Sequence, residues 1–285
     1  YTDFVAEFIS WCCNRTSGAV GIPSFLVYSF YFWKKDVESK YYQFSPDYYR
    51  DQEFQRIVYK LNQPFLRGGI QSSFTNFTIF DREYLTALFG GKEFPDGTFI
   101  IDYIDEILEY QKEFMRVLSD IRSQNVMTFP VLTFALLRKD GRFVDEEFAQ
   151  WACRHNMKWA DSNFFISSDI TSLSSCCRLV SSIENLGYFN SIGGTALEVG
   201  SVKVNTINLA RISYEVPKEE YMTELRKRVV TCLQALDCVR HIIQRNVEKG
   251  LLPNYKLGII NMKSQYNTIG IIGVYETLQK YGMTY

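Results

Sequence analysis

The chain has 285 residues, 46% of them hydrophobic and 22% charged, enough for one large globular domain or two small ones. A formal net charge of −1 argues against a nucleic-acid footprint, and no apolar run reaches the ~18 residues of a membrane span. Seven cysteines, odd in number and unevenly spaced, with no signal-peptide pattern before them, argue against a secreted disulfide scaffold and for a reducing, cytoplasmic setting.

In chain order, residues 3–13 carry Phe4, Val5, Phe8, Ile9 and Cys12 at helical spacing. A polar turn, Asn14 to Gly21, breaks that pattern, and Pro23 then opens a helix, Phe25 to Trp33, apolar nearly all round and therefore buried. Residues 47–62 predict another helix, with Asp47 complementing its N-terminus. Gly68-Gly69 punctuates the chain before Phe74 to Phe80, rich in aromatic and β-branched residues, which reads as a strand. A short helix over 81–90 ends at Gly90-Gly91, and 102–122 makes a long amphipathic helix. Val126 to Leu137 reads as a buried strand that Pro130 bends or marks as an edge. Residues 144–156 predict a helix and Asn163 to Ser167 a short strand. Beyond a long loop come a strand over 203–207 and the longest helix, 218–249, with a stripe of Leu225, Val229, Leu233, Leu236, Ile243 and Val247. Gly250 stops it. A strand over 257–262 follows, and Thr268 to Gly273 reads as a turn leading into a last helix near 274–280. Strands alternating with helices predict an α/β fold with crossovers and a mainly parallel sheet, and no linker or repeat divides the chain.

The stretch from Ser168 to Ile212, a long loop followed by the alternating run Val202 to Ile207, organises this scaffold. The loop is too long for an ordinary connection yet holds Leu173, Leu179, Ile183, Leu186, Tyr188, Phe189, Ile192 and Leu197, which need a surface to bury against. It reads as an ordered loop inserted into protein, bearing the vicinal pair Cys176-Cys177 followed by Arg178. Taken by themselves the two thiols are as readily buried core residues as reactive ones. Zinc-ligand spacing is lacking, and only His155 and His241 could partner a nucleophilic Cys. Cys12-Cys13 is a second pair, assigned to the core by its helical pattern. The turns Asn14 to Gly18 and Gly68 to Ser73 are loop chemistry or a polar patch at a strand end, where sites of α/β proteins sit. The glycines of Thr268 to Gly273 would let an anion approach backbone N–H groups at a helix start, although the segment is neither a P-loop nor G-x-G-x-x-G.

Six segments, in this order, carry a family resemblance: Phe65 to Asp81 (FLRGGIQSSFTNFTIFD), Thr128 to Phe134 (TFPVLTF), Asn163 to Ile170 (NFFISSDI), Ser174 to Leu179 (SSCCRL), Gly200 to Ile212 (GSVKVNTINLARI) and Asn267 to Glu276 (NTIGIIGVYE). Together they resemble the anaerobic, class III ribonucleoside-triphosphate reductases, a glycyl radical enzyme family, over essentially the whole chain. The resemblance implies an α/β barrel of ten strands in two half-barrels, with a central finger loop, here about 168–200. It implies that Cys177 carries a thiyl radical that abstracts the ribose 3′-hydrogen of a ribonucleoside triphosphate, water then leaving C2′. The substrate-binding residues expected with it are Ser72, Ser73, Asn76, Arg178, Glu198, Ser201, Asn208, Thr268, Ile269 and Gly270. No ligand set for a metal is expected here. The family's ATP-binding regulatory domain, its glycyl radical motif, its zinc cysteines and its other active-site Cys are absent from the sequence. The chain, which opens on Tyr1, is therefore expected to be the central barrel portion of a longer protein and inactive alone. The partners implied are the nucleotide, a radical SAM activating enzyme, formate or a thiol reductant, and a second copy in a homodimer. Two other readings remain: an acyltransferase of the pyruvate formate-lyase type, against which the T-I-N-L-x-R-I segment speaks, and a non-catalytic nucleotide-binding or subunit-interface module.

Overall fold

The computed structural model describes residues 1–170 except 17, 41, 65 and 67, the strand pieces 172–174, 180–182 and 191–192, and residues 198–283; side chains are described for 1–170 and from Gly200 onward. Two compact units divide the chain, Tyr1–Glu198 and Val199–Tyr285.

The first unit is built on a parallel ladder of β1 (Val20–Gly21), β2 (Thr75–Phe80), β3 (Val131–Lys139) and β5 (Ser162–Ser167), each paired with the next. Helices return the chain between them: α2 (Phe25–Glu38) and α3 (Pro46–Asn62), then α4 (Arg82–Phe89) and α5 (Ile104–Gln124), then α6 (Glu146–Trp159). α1 (Thr2–Cys13) leads in. β4 (Arg142–Phe143) folds back antiparallel on β3, and β8 (Ser191–Ile192) pairs antiparallel with β1. Parallel pairing follows from the helical crossovers, as the alternation of elements predicts. Pro130 lies just before β3 rather than within it, and β3 is an interior strand with partners on both sides. That corrects the bent or edge strand expected over 126–137.

Local chemistry starts these helices. Ser45 accepts from the Tyr48 N–H, Asp81 from Tyr84 and Asp145 from Phe148, side-chain caps for otherwise orphaned donors. The core between sheet and helices is aromatic. Phe25 stacks on Phe77 at 4.5 Å, and Phe54 meets Tyr110 at 4.8 Å and Phe114 at 5.2 Å. Buried Tyr110 keeps its hydroxyl bonded to Ser29 at 2.9 Å. Gln111 of α5 performs a second pairing. Its amide accepts from the Phe80 N–H at 2.9 Å and donates to the Phe80 carbonyl at 3.0 Å. β1 reaches only as far as Asn76 on β2, so Gln111 stands where a longer strand would have been.

The second unit pairs β9 (Glu198–Asn208) with β10 (Ile260–Ile272) and adds α7 (Leu209–Glu215), α8 (Tyr221–Glu248), α9 (Pro253–Lys256) and α10 (Val274–Lys280). Ile207, Ile212 and Tyr221 form its core, with Leu225, Val229, Cys232 and Ile269 packed around them. The inner stripe of α8 therefore runs through Cys232 and Leu236, while Leu233 is 47% exposed. Arg240 continues that stripe by donating to the carbonyls of Met262 and Gln265, both at 2.8 Å. The two segments expected as a strand over 257–262 and a separate turn at 268–273 are largely one strand, β10. No helix among the described residues is long and apolar enough to cross a membrane.

Candidate functional site

Side chains alternate across a strand, so each strand of the ladder has two faces. Phe77, Ile79, Leu132, Phe134 and Leu136 point to the helices. Phe134, for instance, packs edge-on against Trp151 of α6 at 5.7 Å. In the register given by Asn76↔Val131, Thr78↔Thr133 and Thr133↔Asn163, the opposite face presents Asn76, Thr78, Thr133 and Asn163. A parallel sheet covered on both faces reads as nearly continuous apolar sequence, so a polar row on one face marks a surface built for something other than core packing. Gly21, beside Asn76 on β1, adds no side chain to that face.

At the N-terminal ends of these strands a cavity of about 340 Å³ is lined by Cys13, Gly18, Leu66, Gln71, Ser72, Phe74 and Phe129. This is the end opposite to the carboxyl ends at which open α/β sheets usually bind ligands, which corrects the strand-end rule applied to the two polar turns. Both turns nevertheless contribute to the one cavity, Asn14 to Gly18 through Gly18 and Gly68 to Ser73 through Gln71 and Ser72. Phe74 and Phe129 meet with centroids 4.9 Å apart. Cys13 closes the wall, its thiol 3.4 Å from the Phe74 carbonyl. Its neighbour Cys12 is fully buried, and burial raises that thiol to about 11, a protonated and unreactive state.

The segment that delivers Phe129 is held from both sides. The Asn62 side chain accepts from the Phe129 N–H at 3.0 Å and donates to its carbonyl at 2.6 Å. Arg122 donates to the carbonyls of Met127, Thr128 and Pro130 and pairs with Asp161 at 3.1 Å. Burial lowers the Arg122 guanidinium from its usual value, and the Asp161 charge works against that. For Asp161, burial pushes the carboxyl up, but hydrogen bonds from His155 and Ser162 and the charges of His155 and Arg122 outweigh it and hold it below the usual carboxylate range. None of these anchors was singled out from the sequence. The only signal was one polar residue among many near the end of a helix with a polar face, which is common.

The expected site residues are placed as follows. Ser72 lines the cavity and donates to the Asn62 carbonyl at 2.8 Å. Ser73 faces away, fully buried with its hydroxyl 3.0 Å from that of Ser10. Asn76 lies in the polar row, 1% exposed, donating to the Val131 carbonyl at 2.9 Å and to Thr133 Oγ1 at 3.1 Å. In the second unit, the hydroxyls of Ser201 and Thr268 are 2.8 Å apart, and Asn208 caps α7 by accepting from the Arg211 N–H at 3.0 Å. Thr268, Ile269 and Gly270 are interior to β10, not a turn before a helix, so the argument from an anion at a helix start does not apply to them. Ile269 packs on the core of its unit, and a Cβ on Gly270 would meet Thr206 Oγ1 at 3.0 Å, so the bare glycine backbone faces protein. Gly273 is the residue before α10, at φ +80°. Cys177 and Arg178 lie outside the described residues, as does the side chain of Glu198. Among the described residues no group of three or more His, Cys, Asp or Glu is arranged to hold a metal ion.

Comparison with known proteins places this architecture. The family model described as anaerobic ribonucleoside-triphosphate reductase matches residues 1–284. No curated protein sequence matches. Among solved structures, the anaerobic ribonucleotide reductase of Thermotoga maritima in complex with dATP and CTP is 42% identical, with a TM-score of 0.79 over 100% of this chain and 46% of that one. The same reductase with dATP in its specificity site is 41% identical, TM-score 0.79, over 100% and 47%. With glycerol in its active site it is 42% identical, TM-score 0.78, over 100% and 46%. The chain thus spans about half the length of the reductase chains it matches. Its fold and its whole-length family match establish that the chain belongs to the anaerobic ribonucleoside-triphosphate reductase family.

Proposed function

We propose that the chain is part of the catalytic barrel of an anaerobic reductase that converts ribonucleoside triphosphates to 2′-deoxyribonucleoside triphosphates. The observation that carries this reading is the polar row Asn76, Thr78, Thr133, Asn163 on one face of a parallel sheet, in a chain that matches the reductase family from end to end. In this reading the sheet is one side of a ten-stranded barrel and the 168–200 segment is its finger loop. The nucleoside lies along the polar face, with the cavity at Ser72, Phe74 and Phe129 beside it. That cavity is within the size range of small-molecule sites and combines two aromatic walls with a few polar groups.

Cys177, at the finger tip, is assigned the hydrogen-atom abstraction at ribose C3′, after which water leaves C2′ and formate or a thiol supplies the reducing electrons. A thiol suits the step because it can give up and recover a hydrogen atom. The glycyl radical that generates the thiyl, and the zinc site, are assigned to parts of the protein outside these 285 residues. A radical SAM activating enzyme, a second copy in a homodimer, dATP as effector and a cytoplasmic location complete the proposal. The reductase from Thermotoga maritima binds dATP and CTP, which supports the choice of ligands.

The test uses full-length protein, activated without oxygen. Cys177→Ser abolishes deoxynucleotide formation, whereas Cys176→Ser retains a measurable part. Turnover surviving in the Cys177 variant refutes the assignment.

A further inference from the structure

We propose that Asn76 reads the ribose of the nucleotide, its side-chain oxygen accepting a hydrogen bond from one of the two vicinal ribose hydroxyls. The proposal rests on the function proposed above and deepens it. Asn76 is 1% exposed, and both hydrogens of its amide are directed to fixed acceptors, the Val131 carbonyl at 2.9 Å and Thr133 Oγ1 at 3.1 Å. The orientation of the amide is therefore set by chemistry. Rotated by half a turn, it would bring its oxygen against the Val131 carbonyl, acceptor against acceptor. In the orientation that remains, Asn76 Oδ1 is buried with no hydrogen-bond partner among the described residues. A buried acceptor without a partner is rare in native structures because it forfeits its hydration with nothing in return.

What the oxygen requires is a donor, and its position says where that donor comes from. Strand alternation puts Asn76 on the same face as Phe74, which lines the cavity, and as Thr78 and Thr133 of the polar row. On its β1 side the register neighbour is Gly21, which puts no side chain beside the amide. The pair Thr133–Asn76 behaves as a relay. The threonine hydroxyl accepts from the amide and fixes it, and the amide presents a bare acceptor to the face. A site built to hydrogen-bond a hydroxyl rejects the analogue that lacks it, because its own polar group is then left unpaired. Asn76 would thus separate ribonucleotide substrate from 2′-deoxy product if it holds the 2′-hydroxyl, or hold the ribose in register for attack at C3′ if it holds the 3′-hydroxyl.

The experiment measures equilibrium binding to full-length, unactivated protein, which lacks the radical and does not turn over. With dATP held saturating, CTP, 2′-deoxy-CTP and 3′-deoxy-CTP are titrated against wild type, Asn76→Ala and Thr133→Val. In wild type, CTP is expected to bind roughly tenfold more tightly than one of the two deoxy analogues. That analogue names the hydroxyl. Asn76→Ala is expected to bind CTP roughly tenfold more weakly and the matching analogue unchanged, so that the preference collapses. Thr133→Val keeps the acceptor but loosens it, and should lose part of the preference even where Asn76→Ala folds poorly. A preference that persists in both variants, or an equal loss for all three nucleotides, overturns the role of Asn76 while leaving the proposed function standing. Absence of CTP binding to wild type overturns both.

Discussion

Gln111 offers the sharpest test of how this sheet is held. Its amide occupies both the N–H and the carbonyl of Phe80, and both residues are fully buried. Replacement by Met, of similar length and shape, removes the two hydrogen bonds and little packing. Each buried group left without a partner costs about 1–3 kcal/mol, so the loss is about 2–6 kcal/mol. For a chain of this size that lowers the melting temperature by roughly 5–20 °C. Gln111→Glu separates hydrogen bonding from shape. An ionised carboxylate still accepts from the Phe80 N–H but turns a second oxygen on the Phe80 carbonyl, whereas the protonated acid donates to it. The introduced acid then has a folded-state pKa above its ordinary value of about 4.3, and stability is lost as pH rises through that raised value. Urea denaturation at several pH values reads both effects. A Met variant within 1 kcal/mol of wild type, together with a Glu variant whose deficit does not change with pH, would refute the view that Gln111 replaces a strand.

Burial, partly offset by bonds from the Tyr84 and Leu137 N–H groups, raises the Asp81 carboxyl to about 6. The folded state then binds the proton more tightly than the unfolded one, so Asp81's contribution to stability falls as pH rises from about 4 to 6 and is level above that. Comparing wild type with Asp81→Asn by denaturation across this window should show a slope in the difference. Arg122→Met releases three carbonyls and leaves Asp161 with only His155 and Ser162, and should cost about 3 kcal/mol or more in urea unfolding. Since the Asp161 carboxyl is held below its usual range, its own contribution should be lost only as pH falls below about 4, an acid limb that Asp161→Asn removes. In the second unit, Gly273 sits at φ +80°, and an added Cβ would lie 2.8 Å from both the backbone nitrogen and the Cβ of Ala210. Gly273→Ala should therefore lower the stability of that unit by at least 1 kcal/mol, read as an earlier loss of helical signal on heating.

Local, periodic information in the sequence determined most of the elements. The alternation of strands and helices, the long helix of 102–122 and the parallel pairing across helical crossovers all follow from patterns a few residues long. Of Phe25 to Trp33, expected to be buried nearly all round, burial holds to Phe30, while Phe32 is exposed. Six short segments in fixed order were enough to reach the family. Two glycine-bearing turns pointed to a polar patch and do meet at one cavity, at the opposite strand end to the usual rule. What the sequence could not show depends on contacts between distant residues. That Thr268 to Gly270 continue a strand rather than turn toward a helix depends on β9 alongside. That Ser73 is packing and Ser72 lining depends on the neighbour each meets, Ser10 of α1 for the one and Asn62 of α3 for the other. The grip of Asn62 and Arg122 on the backbone of 127–130 leaves no periodic trace, because one polar residue among many on an amphipathic helix looks the same whether it grips a loop or faces water. Asn76 shows both halves. Its place in F-T-N-F-T marked it for attention. Only the tertiary structure, by directing its amide hydrogens to Val131 and Thr133, left its oxygen as a buried acceptor in need of a donor.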